Sequence, residues 1–292
     1  MKQMKINAPI FDMKNTVNSG QPLAFHSRYN EEMGSVFVEY STSKGVIKVR
    51  CEGSADSATL FYSHSEGYTG NEARDEIRRR FGLNDDIKEI YSKINTDKFM
   101  NDAISGMEGL RVTMNDPWES TLCFVVSQFN NIKRIRGIIN RLMQTYGESH
   151  YFEGNEIKLF PTPEAISKAT IEELMRHGAG FRAKYIKSVA EACAEGTVLE
   201  DITKMEYDEG KQELMKLEGI GDKVADCILL FGYGRYEAFP IDTWIKRVVE
   251  KVYIKRKTSV KSIHQFAWDK WGSYAGYAQQ YLFWFGRTTK VK

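Results

Sequence analysis

Leu217-Glu218-Gly219-Ile220-Gly221-Asp222-Lys223-Val224-Ala225-Asp226-Cys227 decides the reading of this 292-residue chain. Two glycines sit between helical patterns that run from Gln212 to Leu217 and from Lys223 to Phe231. Glycine reaches backbone angles that a β-carbon disfavours, so Gly219 and Gly221 predict a tight turn between two helices. Free amides in such a turn, backed by a helix N-terminus, hold a phosphate without a charged side chain. Lys223 opens the second helix, and Cys227, four residues on, shares its face. Nineteen residues after the lysine, Pro240-Ile241-Asp242-Thr243 places a carboxylate at a helix start. An amine attacks a sugar carbon only in its neutral form, which partial burial and the positive end of a helix both favour. Taken singly, Lys223 reads as a surface lysine and Asp242 as the N-cap of a helix over 243–252. Together, the phosphate-holding turn, the amine and the carboxylate point to chemistry on a nucleotide sugar.

The composition fits that direction. Hydrophobic residues make up 42% and charged residues 27%, the balance of a globular chain with room for two cores. No apolar run is long enough to span a bilayer, and the start, Met1-Lys2-Gln3-Met4-Lys5, leads into no signal-peptide core. Cys51, Cys123, Cys193 and Cys227 are widely separated, without the spacing of a metal site, an iron–sulfur cluster or a disulfide framework. Net charge is +2, yet residues 243–292 hold eleven Lys and Arg against two acids, +9, which leaves −7 on the rest. Such asymmetry suits one basic face presented to a polyanion, and equally a solvated helix surface.

Ahead of the turn, Leu23-Ala24-Phe25-His26, Val36 to Tyr40, Val46 to Cys51 and Thr59 to Tyr62 read as short strands between polar or glycine-containing turns. Lys48 and Arg50 alternate with Ile47, Val49 and Cys51, the pattern of an antiparallel sheet with one wet face. From Asn71 the pattern turns helical. Asn84-Asp85-Asp86 caps a helix through Ile87, Ile90 and Tyr91, and Asp116-Pro117 starts another. Ile132, Ile135, Ile138, Ile139 and Leu142 recur at helical spacing, and Pro161-Thr162-Pro163 precedes a further helix. The fold class expected is α+β: a mixed region with an antiparallel sheet over 1–95, then a helical region over 96–292 that carries the glycine turn.

These residues have a family likeness. Gly219 to Cys227 with Pro240-Ile241-Asp242 resembles the helix-hairpin-helix DNA glycosylases, and among them the 8-oxoguanine branch. Ser19-Gly20-Gln21 resembles that branch's base-reading turn. Asn115-Asp116-Pro117-Trp118-Glu119 and Asn130-Asn131-Ile132 resemble its central helices. Gly178 to Tyr185 resembles the loop that meets the partner strand, and Tyr274 to Gln279 with Phe283 its C-terminal helix. The resemblance implies that Lys223 attacks the sugar C1′, expels the base and forms a Schiff base, and that β-elimination then cuts the strand. Asp242 would stabilise positive charge on the sugar and help position the amine. Cys227 and Phe283 would sandwich the everted base, Gln279 would bond its Watson–Crick edge, and the Gly20 carbonyl would accept the N7 hydrogen that only the oxidised base carries. Asn130, Asn131, Arg134, Phe181, Arg182, Gly219 and Gly221 would contact DNA.

Three positions depart from the family pattern. Phe129 stands where another asparagine usually reads the opposite cytosine, Phe181 replaces a tyrosine, and Trp244 stands where a histidine is common. Arg134 is kept. The expectation is a bifunctional glycosylase and abasic-site lyase that excises 8-oxoguanine from duplex DNA, acts as a monomer and uses no cofactor and no metal. It would be cytoplasmic, with the nucleoid, if its source is prokaryotic. The alternatives are a monofunctional alkylpurine glycosylase that uses water, and a non-enzymatic DNA-binding module.

Overall fold

The computed structural model describes residues 4–32, 34–196 and 198–289. Five strands form one antiparallel sheet: β1 (Met4–Asn7), β2 (Arg28–Glu32), β3 (Ser35–Ser41), β4 (Val46–Glu52) and β5 (Thr59–His64), in the order β1-β5-β4-β3-β2. Val38 pairs with Val49 and Val49 with Tyr62, so the alternating apolar positions stack on one face. That face buries Val38, Tyr40, Ile47, Val49, Cys51 and Leu60 against Ala73 and Ile77 of the helix Gly70–Arg80. Lys48 and Arg50 take the wetter face, as the alternation predicts.

One expected strand is a helix. Leu23–His26 forms a single helical turn, with Pro22 before it at φ −52° in the α-helical region. Proline presets the helical angle, and the apolar alternation of Leu23 and Phe25 has another cause. Leu23 packs into the sheet's core and Phe25 into the helical core, so the turn joins the two. Strands β1 and β2 carry little apolar signal, with one buried residue in the first and none in the second. A second, two-stranded sheet pairs β6 (Ser149–Phe152) with β7 (Asn155–Lys158).

The remainder is helical. The helix Pro117–Ser127 lies at its centre, every residue from Trp118 to Val126 buried. Asp116 caps it by accepting the Trp118 amide at 2.8 Å. The helix Ile132–Tyr146 buries Ile135, Ile138, Ile139 and Leu142, the predicted stripe. After Asp242, the helix Thr243–Val248 continues as a π-helical segment, Val249–Ile254, two residues beyond the expected end.

A buried ion pair joins sheet and helices. Arg80 is fully buried; it donates to Glu76 at 2.7 Å, to Glu119 at 2.6 Å and to Asn115 at 3.1 Å. Its guanidinium lies 4.7 Å from the Tyr40 ring of β3. Asn115 in turn donates its amide to the Phe231 carbonyl at 2.7 Å.

His26 lies beside this pair, fully buried, with neither ring nitrogen hydrogen-bonded. Its Nε2 is 3.7 Å from a Glu119 oxygen, but that carboxylate is already engaged by Arg80. Burial, then the charges of Arg80 and Arg136, hold its pKa well below the ordinary 6.5. The unfolded chain therefore binds a proton that the native state refuses, and stability is lost as pH falls below the unfolded value. The expected slope is up to about 1.4 kcal/mol per pH unit between about pH 6.5 and about pH 5.5. Urea unfolding across that range checks it: His26→Phe should flatten the slope, and an unchanged slope would assign it to other groups.

Candidate active site

The glycine turn joins the helices Tyr207–Met215 and Asp222–Tyr233. Gly219 adopts φ 87°, and a β-carbon there would sit 2.4 Å from Cγ of Tyr185, so this glycine is required twice over. Gly221 corrects the expectation. Its φ of −98° is ordinary extended backbone, and a β-carbon would meet nothing within 4 Å. Space beside the N-terminus of the second helix, rather than a special angle, is what Gly221 leaves open.

The first turn of that helix is tied down by charge. Lys211 Nζ lies 2.9 Å from both Asp222 and Asp226, and Tyr207 donates to Asp226 at 2.6 Å. His264, from the helix Val260–Trp271, lies 3.2 Å from Asp222. The His264 hydrogen bond, helped by Lys211, holds the Asp222 carboxyl well below the usual range, whereas burial pushes Asp226 up. Among the described residues, Asp222, Asp226 and His264 form the one cluster with metal-ligand spacing. The Lys211 ammonium stands where a cation would sit against both carboxylates.

Lys223 is half-buried, with Nζ 5.2 Å from the Phe124 ring centroid. One turn on, Cys227 is buried; burial pushes its thiol up to about 11, against the pull of the Lys223 charge. Asp242 adds its charge to that push. Asp242 is also the N-cap: Oδ1 accepts the Ile245 amide at 2.7 Å. No hydrogen bond among the described residues engages its other oxygen.

Lys223, Asp242 and Cys227 line one cavity of about 340 Å³, together with Gly20, Gln279, Phe283, Asn130 and Asn131. Residues separated by more than 260 positions thus converge on it. Gly20 has φ 77°, and a β-carbon there would press 3.3 Å from the Phe283 ring. Buried Gln21 fixes the turn by donating to Thr16 and Arg111 carbonyls and accepting the Thr113 amide at 2.7 Å. Gln280 donates to the Ser19 carbonyl at 3.1 Å. Gln279 donates to the Pro240 carbonyl at 3.2 Å, and its Oε1 is buried without a partner. An unpaired buried acceptor costs free energy until something donates to it.

The expected DNA contacts separate into two groups. Asn130 and Asn131 reach the cavity but also hold their own turn, Asn130 donating to Val126 at 3.0 Å and Asn131 capping Arg134 at 3.0 Å. Arg134 is exposed, donating to the Gly178 carbonyl at 3.5 Å, and Phe181 is 51% exposed. Arg182 is a correction. It is buried, and its nitrogens donate to the carbonyls of Gln128 at 2.6 Å, Phe129 at 2.9 Å and Ala179 at 3.2 Å. It braces the loops with three of its five N–H groups, and its burial keeps the guanidinium from the surface. Sequence reasoning missed Arg287, which lines the cavity with its guanidinium 5.4 Å from the Phe283 ring. The signal was available: Gln279, Phe283 and Arg287 recur at four-residue intervals on one helix face.

Comparison with known proteins shows the family. Residues 122–273 match the HhH-GPD superfamily base excision DNA repair proteins, and residues 3–121 match the N-terminal domain of 8-oxoguanine DNA glycosylases. The chain belongs to the HhH-GPD superfamily of base excision DNA repair proteins. It is 29% identical to a probable N-glycosylase/DNA lyase of Methanothermobacter thermautotrophicus, over 96% of this chain and 95% of that protein. The N-glycosylase/DNA lyase of Saccharomyces cerevisiae is 29% identical over 74% of this chain and 68% of its own length. Among solved structures, MBOgg1 in complex with a low-affinity DNA ligand superposes with a TM-score of 0.89 at 34% identity, covering 99% of this chain and 97% of its own. The Clostridium acetobutylicum 8-oxoguanine glycosylase/lyase, bound to duplex DNA with cytosine opposite 8-oxoguanine, gives 0.86 at 28% identity, with 99% of each chain covered.

Proposed function

We propose that this chain excises 8-oxoguanine from duplex DNA and cuts the strand at the resulting abasic site, with Lys223 as nucleophile. One observation carries the reading: an amine, a carboxylate with a free oxygen and an unpartnered amide acceptor line the same 340 Å³ cavity. The base and its sugar carbon are shielded in a stacked helix, so the nucleotide must be everted to reach that cavity. Neutral Lys223 attacks C1′, the C1′–N9 bond breaks, and the base leaves with the electron pair and takes up a proton. The C1′–O4′ bond then breaks, O4′ takes up the proton that the amine sheds, and the ring-opened sugar is held as a Schiff base. Loss of a C2′ proton expels the 3′ oxygen as phosphate, and the strand is nicked. Asp242 faces the positive charge that develops on the sugar as the base departs.

The cavity also supports recognition. Gln279 Oε1 accepts from an N–H on the Watson–Crick edge, which satisfies the orphaned atom. The Gly20 carbonyl carries no hydrogen bond among the described residues and suits the N7 hydrogen of the oxidised base. Unmodified guanine would set a lone pair against it, an unsatisfied contact that gives discrimination. Cys227 and Phe283 supply apolar faces for the base plane. A water-using mechanism would leave the amine in this cavity without a role.

Incubation with duplex carrying one 8-oxoguanine tests the reading. It predicts release of the free base together with a nick 3′ to the lesion, and no release from an unmodified duplex. Base release without nicking would contradict it. Asp242→Asn separates charge from capping, because asparagine caps a helix as well as aspartate does. Excision should slow by roughly 10²-fold with DNA binding and thermal stability unchanged. An unchanged rate would reduce Asp242 to a cap.

A further inference from the structure

Two carboxylates and an imidazole meet at the first turn of the helix Asp222–Tyr233, and none of the three lines the cavity that holds Lys223. Asp222 and Asp226 stand one helical turn apart and present their two oxygens to different partners. On the Oδ1 side, Lys211 Nζ lies 2.9 Å from each carboxylate, and Tyr207 donates to Asp226 at 2.6 Å. On the Oδ2 side stands His264, whose Nε2 lies 3.2 Å from Asp222 and 3.5 Å from Asp226. Asp226 is wholly buried, and its Oδ2 has no hydrogen-bond partner. An imidazole N–H has one hydrogen to give, and the bond to Asp222 uses it. The buried Asp226 oxygen is left unsatisfied, which costs free energy.

A divalent cation in the same space satisfies all three atoms at once. A tetrahedral ion with bonds of about 2.0–2.1 Å sets its ligand atoms about 3.3 Å apart. The two imidazole–carboxylate distances, 3.2 and 3.5 Å, bracket that value, and all the ligand atoms fall within 4.8 Å of one another. One nitrogen with two oxygens suits Zn²⁺ and its neighbours, whereas Mg²⁺ and Ca²⁺ take oxygen. Lys211 and Tyr207, bonded to the far oxygens, are then the outer groups that orient the ligand carboxylates. Asp222 and His264 also line a cavity of about 830 Å³, from which water supplies the fourth ligand. We propose that Asp222 Oδ2, Asp226 Oδ2 and His264 Nε2 form a binding site for a Zn²⁺-class ion. The ion takes the place of the Nε2 proton and pins the helix Val260–Trp271 to the first turn of the helix that carries Lys223.

Co²⁺ is the probe, because it takes the same donors as Zn²⁺ and its tetrahedral complexes absorb strongly in the visible. The full chain is stripped with a chelator, dialysed free of it and titrated with Co²⁺; Tm is followed with Zn²⁺ in a parallel sample. The wild type should take up one Co²⁺ per chain with a tetrahedral spectrum, and Zn²⁺ should displace the colour and raise Tm. His264 is partly exposed, so His264→Ala opens no sealed cavity, and Asp226→Asn keeps the shape of the side chain. Loss of a direct ligand should weaken uptake by at least about 100-fold, the upper end for changes one shell further out. Both variants should also lose the Zn²⁺-dependent rise in Tm. No uptake by the wild type, or undiminished uptake by either folded variant, would overturn the proposal and leave His264 a plain ion-pair partner. None of these readouts involves base release, so the ion site and the function proposed above fail separately.

Discussion

Lys223→Gln is expected to bind lesion DNA within a few-fold of the wild type and yet release base at least about 10³-fold more slowly, the scale of effect seen when a nucleophile is removed. Glutamine keeps a polar head on a slightly shorter stem, so packing over Phe124 is largely preserved. Lys223 is only half-buried, and the first turn of its helix is held by Lys211, Tyr207 and His264 instead. Stability should change by less than about 1 kcal/mol. The variant separates recognition from chemistry, since Gly20, Gln279, Cys227 and Phe283 are untouched. Single-turnover excision and a binding titration on the same duplex measure the two. Full base release by Lys223→Gln would remove the lysine from the mechanism and favour an activated water.

The second large effect concerns the frame behind the site. Arg80→Met should lower stability by roughly 3–5 kcal/mol, because it leaves the Glu119 carboxylate buried without its partner. At this chain length that is a fall of about 10 °C in Tm. The chain of contacts from Tyr40 through Arg80 and Asn115 to the Phe231 carbonyl ties the sheet to the helix that carries Lys223. Phe231 also lines the cavity, so activity should fall at temperatures where the variant is still folded. Removing both charges, Arg80→Met with Glu119→Leu, should recover much of the lost stability, as apolar replacement of a buried pair often does. Calorimetry of the single and double variants decides it; a single variant within about 1 kcal/mol of the wild type would mean that water reaches Glu119.

The residues that converge on the cavity were legible because each sits in a short local pattern. Gly219 with its flanking helices, Asp242 at a helix start and Gln279 with Phe283 on one helix face all announce themselves within a dozen positions. What binds those patterns into one site is not local. Arg182 reads as a DNA contact by resemblance, and only the fold shows it buried with its guanidinium bonded to carbonyls more than fifty residues away. Leu23–His26 mimics a strand because its two apolar side chains serve two different cores. Gly221 looks as necessary as Gly219, but only Gly219 meets the Tyr185 ring. The left-handed backbone at Phe129 has no sequence signature at all, since phenylalanine does not favour it.

The central claim is that one amine, Lys223, forms the covalent bond to the sugar. Borohydride reduction during turnover on 8-oxoguanine duplex, followed by proteolysis and mass spectrometry of the DNA-linked peptide, tests this most directly. The adduct is predicted on the peptide that contains Lys223 and on no other. Attachment at a different lysine, or base release with no adduct at all, would contradict the account.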